Sequence, residues 1–267
     1  MISKYTYKGL TWIDLVNPTN GEVDHINEDY NIPSVFAKEL LNNDPEIGIT
    51  GQEDIVEVVL NFPKIKNHKN NTIDQKIVFL VGHNFIITSH EHQIDTLTQF
   101  SKKLEVKLSL EQPLPVSNAS LVYFSIVKTL ISSNTDDQKE IEIQIENIQK
   151  KHQKHSKKLI SQIMNLKKVL IDFKYNTEIQ KNMLSYFDYY AESFFKIDTR
   201  RYTNEMAVEY SKLESIINMQ SCTIDNISNM INIAMDKRIY RLIFVFSFFA
   251  ILALSAILIL RITAINF

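Results

Sequence analysis

Cysteine is nearly missing from this chain: Cys222 is the only one in 267 residues. That excludes an internal disulfide and points to a reducing compartment for the soluble part. Glycine and proline are also few, five and six, which excludes a fold of many tight turns and favours long helices. Neither sign of charge dominates. With a formal net charge of −2, no global field draws the chain to nucleic acid or to an acidic surface. The amino terminus, Met1-Ile2-Ser3-Lys4-Tyr5, has no apolar core of the kind a cleaved secretory signal carries. A nucleophile elbow, a phosphate loop and a paired-cysteine metal motif are all missing, so nothing in the sequence supports an enzyme.

What is present in excess is one apolar run. Leu242 to Leu260 reads LIFVFSFFAILALSAILIL, with no charge and two serines. At about 1.5 Å per residue it is roughly 28 Å long, close to a bilayer core of about 30 Å. The competing reading, a buried core helix, fits poorly because a core helix of this length seldom stays apolar on every face. Lys237, Arg238 and Arg241 flank its start and only Arg261 follows. The positive-inside rule then puts the N-terminal part in the cytoplasm, in a cell (inner) membrane, and makes the lipid bilayer the first partner.

The spacing predicts an α+β chain in six parts. Residues 1–111 form an α/β cytoplasmic domain, 112–118 a linker around Pro113 and Pro115, and 119–198 a helical hairpin. Residues 199–241 form a stalk helix that continues into a transmembrane helix over 242–262, with 263–267 as a short extracytoplasmic tail. In the first part, Thr11 to Val16, Ile55 to Phe62, Lys76 to Val81 and Asn84 to Thr88 read as strands. Glu22 to Tyr30, Ser34 to Asn42 and Ile94 to Val106 read as helices, and Lys64 to Asn71 as a polar loop. Gly82-His83 fits a type II′ turn. In the hairpin, Ile141, Ile145, Ile148, Leu159, Leu166 and Leu170 recur in three-four steps, with His152 and His155 at two seam positions. Met183, Leu184, Phe187, Tyr190 and Phe194 mark a return helix. Asp198-Thr199 is placed to cap the last helix. That helix carries Met206, Tyr210, Leu213, Ile217, Ile224, Ile227, Ile231 and Ala234 on one face. No glycine or proline interrupts Thr199 to Phe267, so one rod of roughly 100 Å fits the stalk and span together.

Four segments in this order resemble the CorA family of magnesium channels. They are Thr11-Trp12-Ile13-Asp14-Leu15-Val16-Asn17-Pro18-Thr19, Ile55 to Pro63, the hairpin Ile77 to Glu91 ending in Thr88-Ser89-His90-Glu91, and Asn232-Ile233-Ala234-Met235 at the membrane entrance. The resemblance implies a transporter of Mg²⁺ or a related divalent cation, with Mg²⁺ as transported or regulatory ion and a pentamer as the assembly. It also implies a Gly-Met-Asn signature after the first span, and then a second span. Here Ala264-Ile265-Asn266-Phe267 lacks the glycine and the methionine, and no second apolar stretch follows. Beside the channel reading this leaves two others: a non-conducting, membrane-anchored interaction or regulatory protein that co-assembles with a full-length homologue, or a truncated family member.

The last helix carries a second stripe. Asn218, Cys222, Asp225, Asn229, Asn232 and Asp236 recur at steps of four, three, four, three and four, offset by one residue from the apolar seam. A ring of such helices would stack carboxylates and amides along an axis, oxygen acceptors suited to a hydrated magnesium ion. Met235 would add an apolar constriction. The alternative is the solvated face of an ordinary amphipathic helix. Arg238 falls where the family has an apolar pore residue. Pointing inward it repels a cation; pointing outward it reaches lipid phosphates. His90, Glu91 and His92 read as polar residues leaving a strand rather than as a metal cluster. His152 and His155 lack a third ligand. Asp136, Asp137, Glu140, Glu142 and Glu146 read as a solvated face of the hairpin.

Overall fold

The computed structural model describes residues 1–7, 9–66, 71–109, 118–151 and 157–265. The linker expected over 112–118 and the histidines at 152 and 155 fall almost wholly outside them, as do residues 266–267 of the tail. A six-stranded sheet organises the N-terminal part. Its strands are β1 (Ile2–Tyr7), β2 (Leu10–Val16), β3 (Gly48–Gln52), β4 (Ile55–Asn61), β7 (Lys76–Val81) and β8 (Phe85–His90), in the order β1-β2-β8-β7-β4-β3. Only β2 and β8 pair in parallel; the other neighbours are antiparallel.

Alternation along the strands sends successive side chains to opposite faces. Ile13, Leu15, Ile55, Val59, Leu80 and Ile87 pack under α1 (Asn20–Tyr30) and α2 (Ser34–Glu39), through Val23, Ile26, Phe36 and Leu40. Trp12, Val56, Val58, Leu60, Phe79 and Ile86 face α3 (Asp95–Ser109) and the long helices. Both faces of the sheet are therefore covered, which is why β4 and β7 read as near-continuous apolar runs. Thr19 starts α1: its side chain accepts from the Glu22 amide while the Glu22 carboxylate accepts from the Thr19 amide, a reciprocal capping box. Asn31 closes the helix in the left-handed region, φ 50°.

Two short elements depart from expectation. The polar loop expected over Lys64 to Asn71 gives way at both ends to strands: β5 (Lys64–Lys66) and β6 (Asn71–Ile73) pair antiparallel as a separate two-stranded sheet. Nor is Gly82 the first corner of a type II′ turn. That turn needs a positive φ, and the only glycine with one is Gly9. Instead the Gly82 amide donates to the Phe85 carbonyl at 2.9 Å and His83-Asn84 form the corner. The tight turn with positive φ lies elsewhere, at Glu53 (51°) and Asp54 (61°) between β3 and β4.

Glu57 is the one carboxylate in the middle of β4. It faces the α1–α2 layer between Ile55 and Val59, is nine per cent exposed, and its Oε2 finds no partner. Burial first, and the charge of Glu39 second, push its carboxyl up to about 7. The stabilising state is the protonated one. Its contribution is full below about 4.5 and is lost as pH rises through about 7. Raising the pH from 5 to 8 is expected to cost the fold up to roughly 3 kcal/mol through this group. Glu57→Gln should flatten that slope in denaturant melts at the two pH values; a slope unchanged by the substitution would contradict the assignment.

Three long helices follow: α4 (Ala119–Lys151), α5 (Lys157–Tyr190) and α6 (Arg200–Ile265). A π-helical turn, Ala191–Phe195, ends α5, and Lys196 leaves it at φ 57°. Here the α/β part grips the helices. Gly51 of β3 lies so close to Tyr190 and Phe194 that any Cβ would overlap their rings. Thr199 stands at the start of α6, and its carbonyl takes the amides of Tyr202 and Thr203. Its hydroxyl does not cap: with that of Thr203 it donates to Asp188, at 2.5 and 2.7 Å. Asp198 instead accepts from the Arg200 amide and guanidinium. The expected seam is buried from Met206 to Ile231, while Ala234 at its end is half-buried. Met206, Tyr210, Leu213, Ile217, Ile224, Ile227 and Ile231 pack α6 against α4 and α5, at about 1.5–3 kcal/mol for each large apolar side chain.

Candidate ion-pathway face and membrane entrance

The seam fixes which way α6 faces. At about 100° per residue, Leu213, Ile217, Gln220, Ile224, Ile227 and Ile231 fall in an arc about 80° wide. Asn218, Cys222, Asp225, Asn229, Asn232 and Asp236 fall in a second arc of the same width, centred about 140° away. Every residue of the first arc is buried and every residue of the second is exposed. The polar stripe thus lies away from the buried seam of α6, with Asp225 alone among its residues bridged to the hairpin.

The remaining candidates sit elsewhere on the helix. Met235, 38 % exposed, continues the buried arc and flanks the stripe about 60° from Asn232. Arg238 is exposed and lies about 200° round the helix from Asp236, on the hairpin side. Asp225 is not a free carboxylate, for its Oδ1 lies 2.7 Å from Lys167 Nζ of α5. Both groups are partly exposed, so this pair contributes about 1 kcal/mol or less. The apolar sequence gave no signal for that bridge, because a lysine on an outer face has many possible partners.

The alternative polar clusters are accounted for by the fold. His90 belongs to β8 and is buried. Its Nδ1 lies 2.7 Å from the His92 carbonyl and its Nε2 3.1 Å from Asp14 Oδ1, so acceptors occupy both nitrogens. Asp14 also accepts from Thr88, whose Oγ1 receives the Trp12 indole N–H at 3.1 Å. Thr88 and His90 thereby join Trp12 and Asp14 in a buried cross-strand network, while Glu91 and His92 are exposed. Among the described residues no group of three or more His, Cys, Asp or Glu is arranged to hold a metal ion. On α4, burial pushes Asp137 up to about 6, against the opposing pull of Lys64.

Beyond the hairpin α6 stands alone. It is the one helix among the described residues long and apolar enough to cross a membrane, and none of its apolar window is buried. A mixed sheet between helical layers and three long helices, the last with an unburied apolar extension, make up the described part of the chain. The chain belongs to the CorA-like Mg2+ transporter protein family, whose model matches residues 7–259. It is a member of a family of ion transporters, not of enzymes.

Solved structures agree on the fold. The complete CorA magnesium transporter of Methanocaldococcus jannaschii aligns with a TM-score of 0.77 at 13 % identity, covering 90 % of this chain and 75 % of that one. The full-length CmaX protein aligns at 0.72 and 12 % identity, covering 89 % and 72 %. The ZntB cytoplasmic domain of Vibrio parahaemolyticus RIMD 2210633 aligns at 0.64 and 11 % identity, covering 86 % and 90 %. Among curated protein sequences none matches the chain.

Proposed function

We propose that the chain is a subunit of a channel for Mg²⁺ or a related divalent cation. Copies would assemble as a ring, five by family resemblance, with the N-terminal part in the cytoplasm. One observation carries the reading: the polar stripe of α6 is exposed along its length while the opposite face is buried on the hairpin. A single helix encloses no path. Several copies with their hairpins outward would turn Asp225, Asn229, Asn232 and Asp236 toward a common axis, giving rings of oxygen acceptors for a hydrated ion. Met235 would border that path, and Arg238 would face outward to lipid phosphate. The cations before the span support the cytoplasmic assignment. A ring mixing this chain with a full-length relative would use the same face.

Cys222 lies in the stripe and is exposed, so the chain carries its own probe. In the detergent-extracted oligomer a bismaleimide is expected to join Cys222 of neighbouring copies and to leave Cys222→Ser unjoined. An oligomer of established size whose Cys222 residues never join would contradict the axis-facing stripe.

A further inference from the structure

Two exposed apolar rows run along the long helices, apart from the buried seam and the polar stripe. On α5, Ile160, Met164, Ile171, Tyr175, Tyr186 and Tyr189 are exposed. They fall in an arc about 80° wide, opposite the buried Leu166, Phe173, Leu184 and Phe187. On α6, Val208, Met219, Met230 and Ile233 are exposed. They fall in an arc about 60° wide, centred about 90° from the polar stripe. Long exposed apolar rows mark an interaction surface.

The two rows lie on opposite flanks of the α5–α6 pair. α5 holds α6 at Thr203, Tyr210, Glu214 and Asp225, through Asp188, Gln180, Lys181 and Lys167 at 2.7, 3.0, 3.0 and 2.7 Å. Those four positions centre about 50° from the polar stripe on one side; the apolar row of α6 lies about 90° from it on the other. Each polar stripe is thus flanked by its own α5 on one side and by an uncovered apolar row on the other. The flanks stand about 140° apart through the polar stripe, short of the 180° of a straight row. Copies joined flank to flank therefore curve round that stripe, as a head-to-tail ring requires.

The rows also agree in height. Rotation about the axis of a ring leaves every residue at its own level, so contacts between copies join residues of one level. Counted from Lys167 opposite Asp225, Ile160 falls beside Ile233, Met164 beside Met230, and Ile171 and Tyr175 on either side of Met219, each within about 3 Å along the helix. Counted from Asp188 opposite Thr203, Tyr186 falls within about 5 Å of Val208. There α6 carries a shallow groove lined by Ala207, Val208, Ser211 and Ser215. Charge agrees as well: counted from Gln180 opposite Tyr210, the exposed Glu178 of α5 is level with the exposed Lys212 of α6.

We infer that the apolar row of α6 docks on the apolar row of α5 in the next copy of this chain, so that each α6 is held between its own α5 and its neighbour's. The inference rests on the ring proposed above and names the surface that closes it.

The test uses the full chain with Cys222→Ser, extracted in detergent as the oligomer. Ile171→Cys with Met219→Cys places matched thiols on the two rows; both positions are exposed, so neither change disturbs the core. Mild oxidation is expected to join copies into a ladder that ends at the ring size, because a disulfide needs Cα atoms within about 7 Å. Ile171→Cys with Val208→Cys, about 20 Å apart in level, should lose the ladder, as should each single-cysteine chain. A matched pair that stays unjoined, in an oligomer whose native Cys222 residues do join, leaves the ring standing and overturns this interface. Joining through Ile171→Cys alone overturns it too, as a two-fold contact of α5 with itself. Equal joining of the mismatched pair overturns it as random collision. A monomeric chain overturns the ring reading and the interface with it.

Discussion

A chain carrying Asn232→Arg is expected to lose Mg²⁺ influx while keeping its fold and its oligomer. Asn232 is exposed on the polar stripe, about 100° round the helix from Ile231, the last residue of the buried seam, so a larger side chain there disturbs no core packing. In a ring, every copy would add a guanidinium to the same level of the axis. A divalent ion about 6 Å from one such charge meets a barrier of roughly 5 kcal/mol at an effective dielectric of about 20. Each 1.36 kcal/mol is about tenfold in rate, so the expected loss exceeds about a thousandfold even before the other copies are added. Arg238→Gln is the control. Its position on the opposite side of α6 predicts influx within about twofold of the unsubstituted chain. Strong inhibition by Asn232→Arg with little effect of Arg238→Gln supports the assignment of faces. The reverse pattern would put Arg238 on the axis and refute it.

Phe187→Ala is expected to be the most damaging single change to the soluble part, by about 3–5 kcal/mol. The ring is one per cent exposed. It stacks on Tyr123 of α4 at a centroid distance of 4.5 Å and meets Phe124 edge-on at 5.2 Å. Tyr123 in turn meets Phe79 of β7 edge-on at 5.4 Å, and Phe124 stacks on Tyr202 of α6 at 5.9 Å. One side chain therefore ties the sheet, both arms of the hairpin and the stalk together. Its removal leaves a cavity bounded by rigid rings that collapse poorly. Phe187→Leu should cost far less, because it fills most of the volume. Thermal or denaturant melts of the two variants in the same detergent decide this, and equal small losses would show that the cluster does not couple the parts.

Much of this arrangement was legible in the residues. The three-four spacing from Met206 to Ile231 states which face of α6 is buried, because a seam of that length has no other periodic solution. The apolar run after Arg241 has no face left for a soluble core. β4 and β7 were legible because they are covered on both sides and therefore continuous. The short edge elements were not. β3 consists of Gly48-Ile49-Thr50-Gly51-Gln52, with two strand-disfavouring glycines in five residues, and its pairing is set by β4 and by aromatic rings about 140 residues away in sequence. The β5–β6 hairpin is equally polar. It is anchored by a long-range hydrogen bond from Thr72 to Asp172 at 2.9 Å, which no local pattern announces. In the candidate site, spacing gave the stripe, and the helix wheel places Arg238 opposite it. The Lys167–Asp225 bridge depends on how α5 and α6 register, and register is a property of the packed structure rather than of any one segment.

The central claim is that this polar face conducts. The most direct measurement is Mg²⁺ influx into sealed vesicles containing the purified full chain, followed with an internal magnesium-sensitive dye. The account predicts influx above that of empty vesicles, blocked by cobalt hexammine as a mimic of the hydrated ion. Folded, oligomeric chain that passes no more Mg²⁺ than empty vesicles would contradict it.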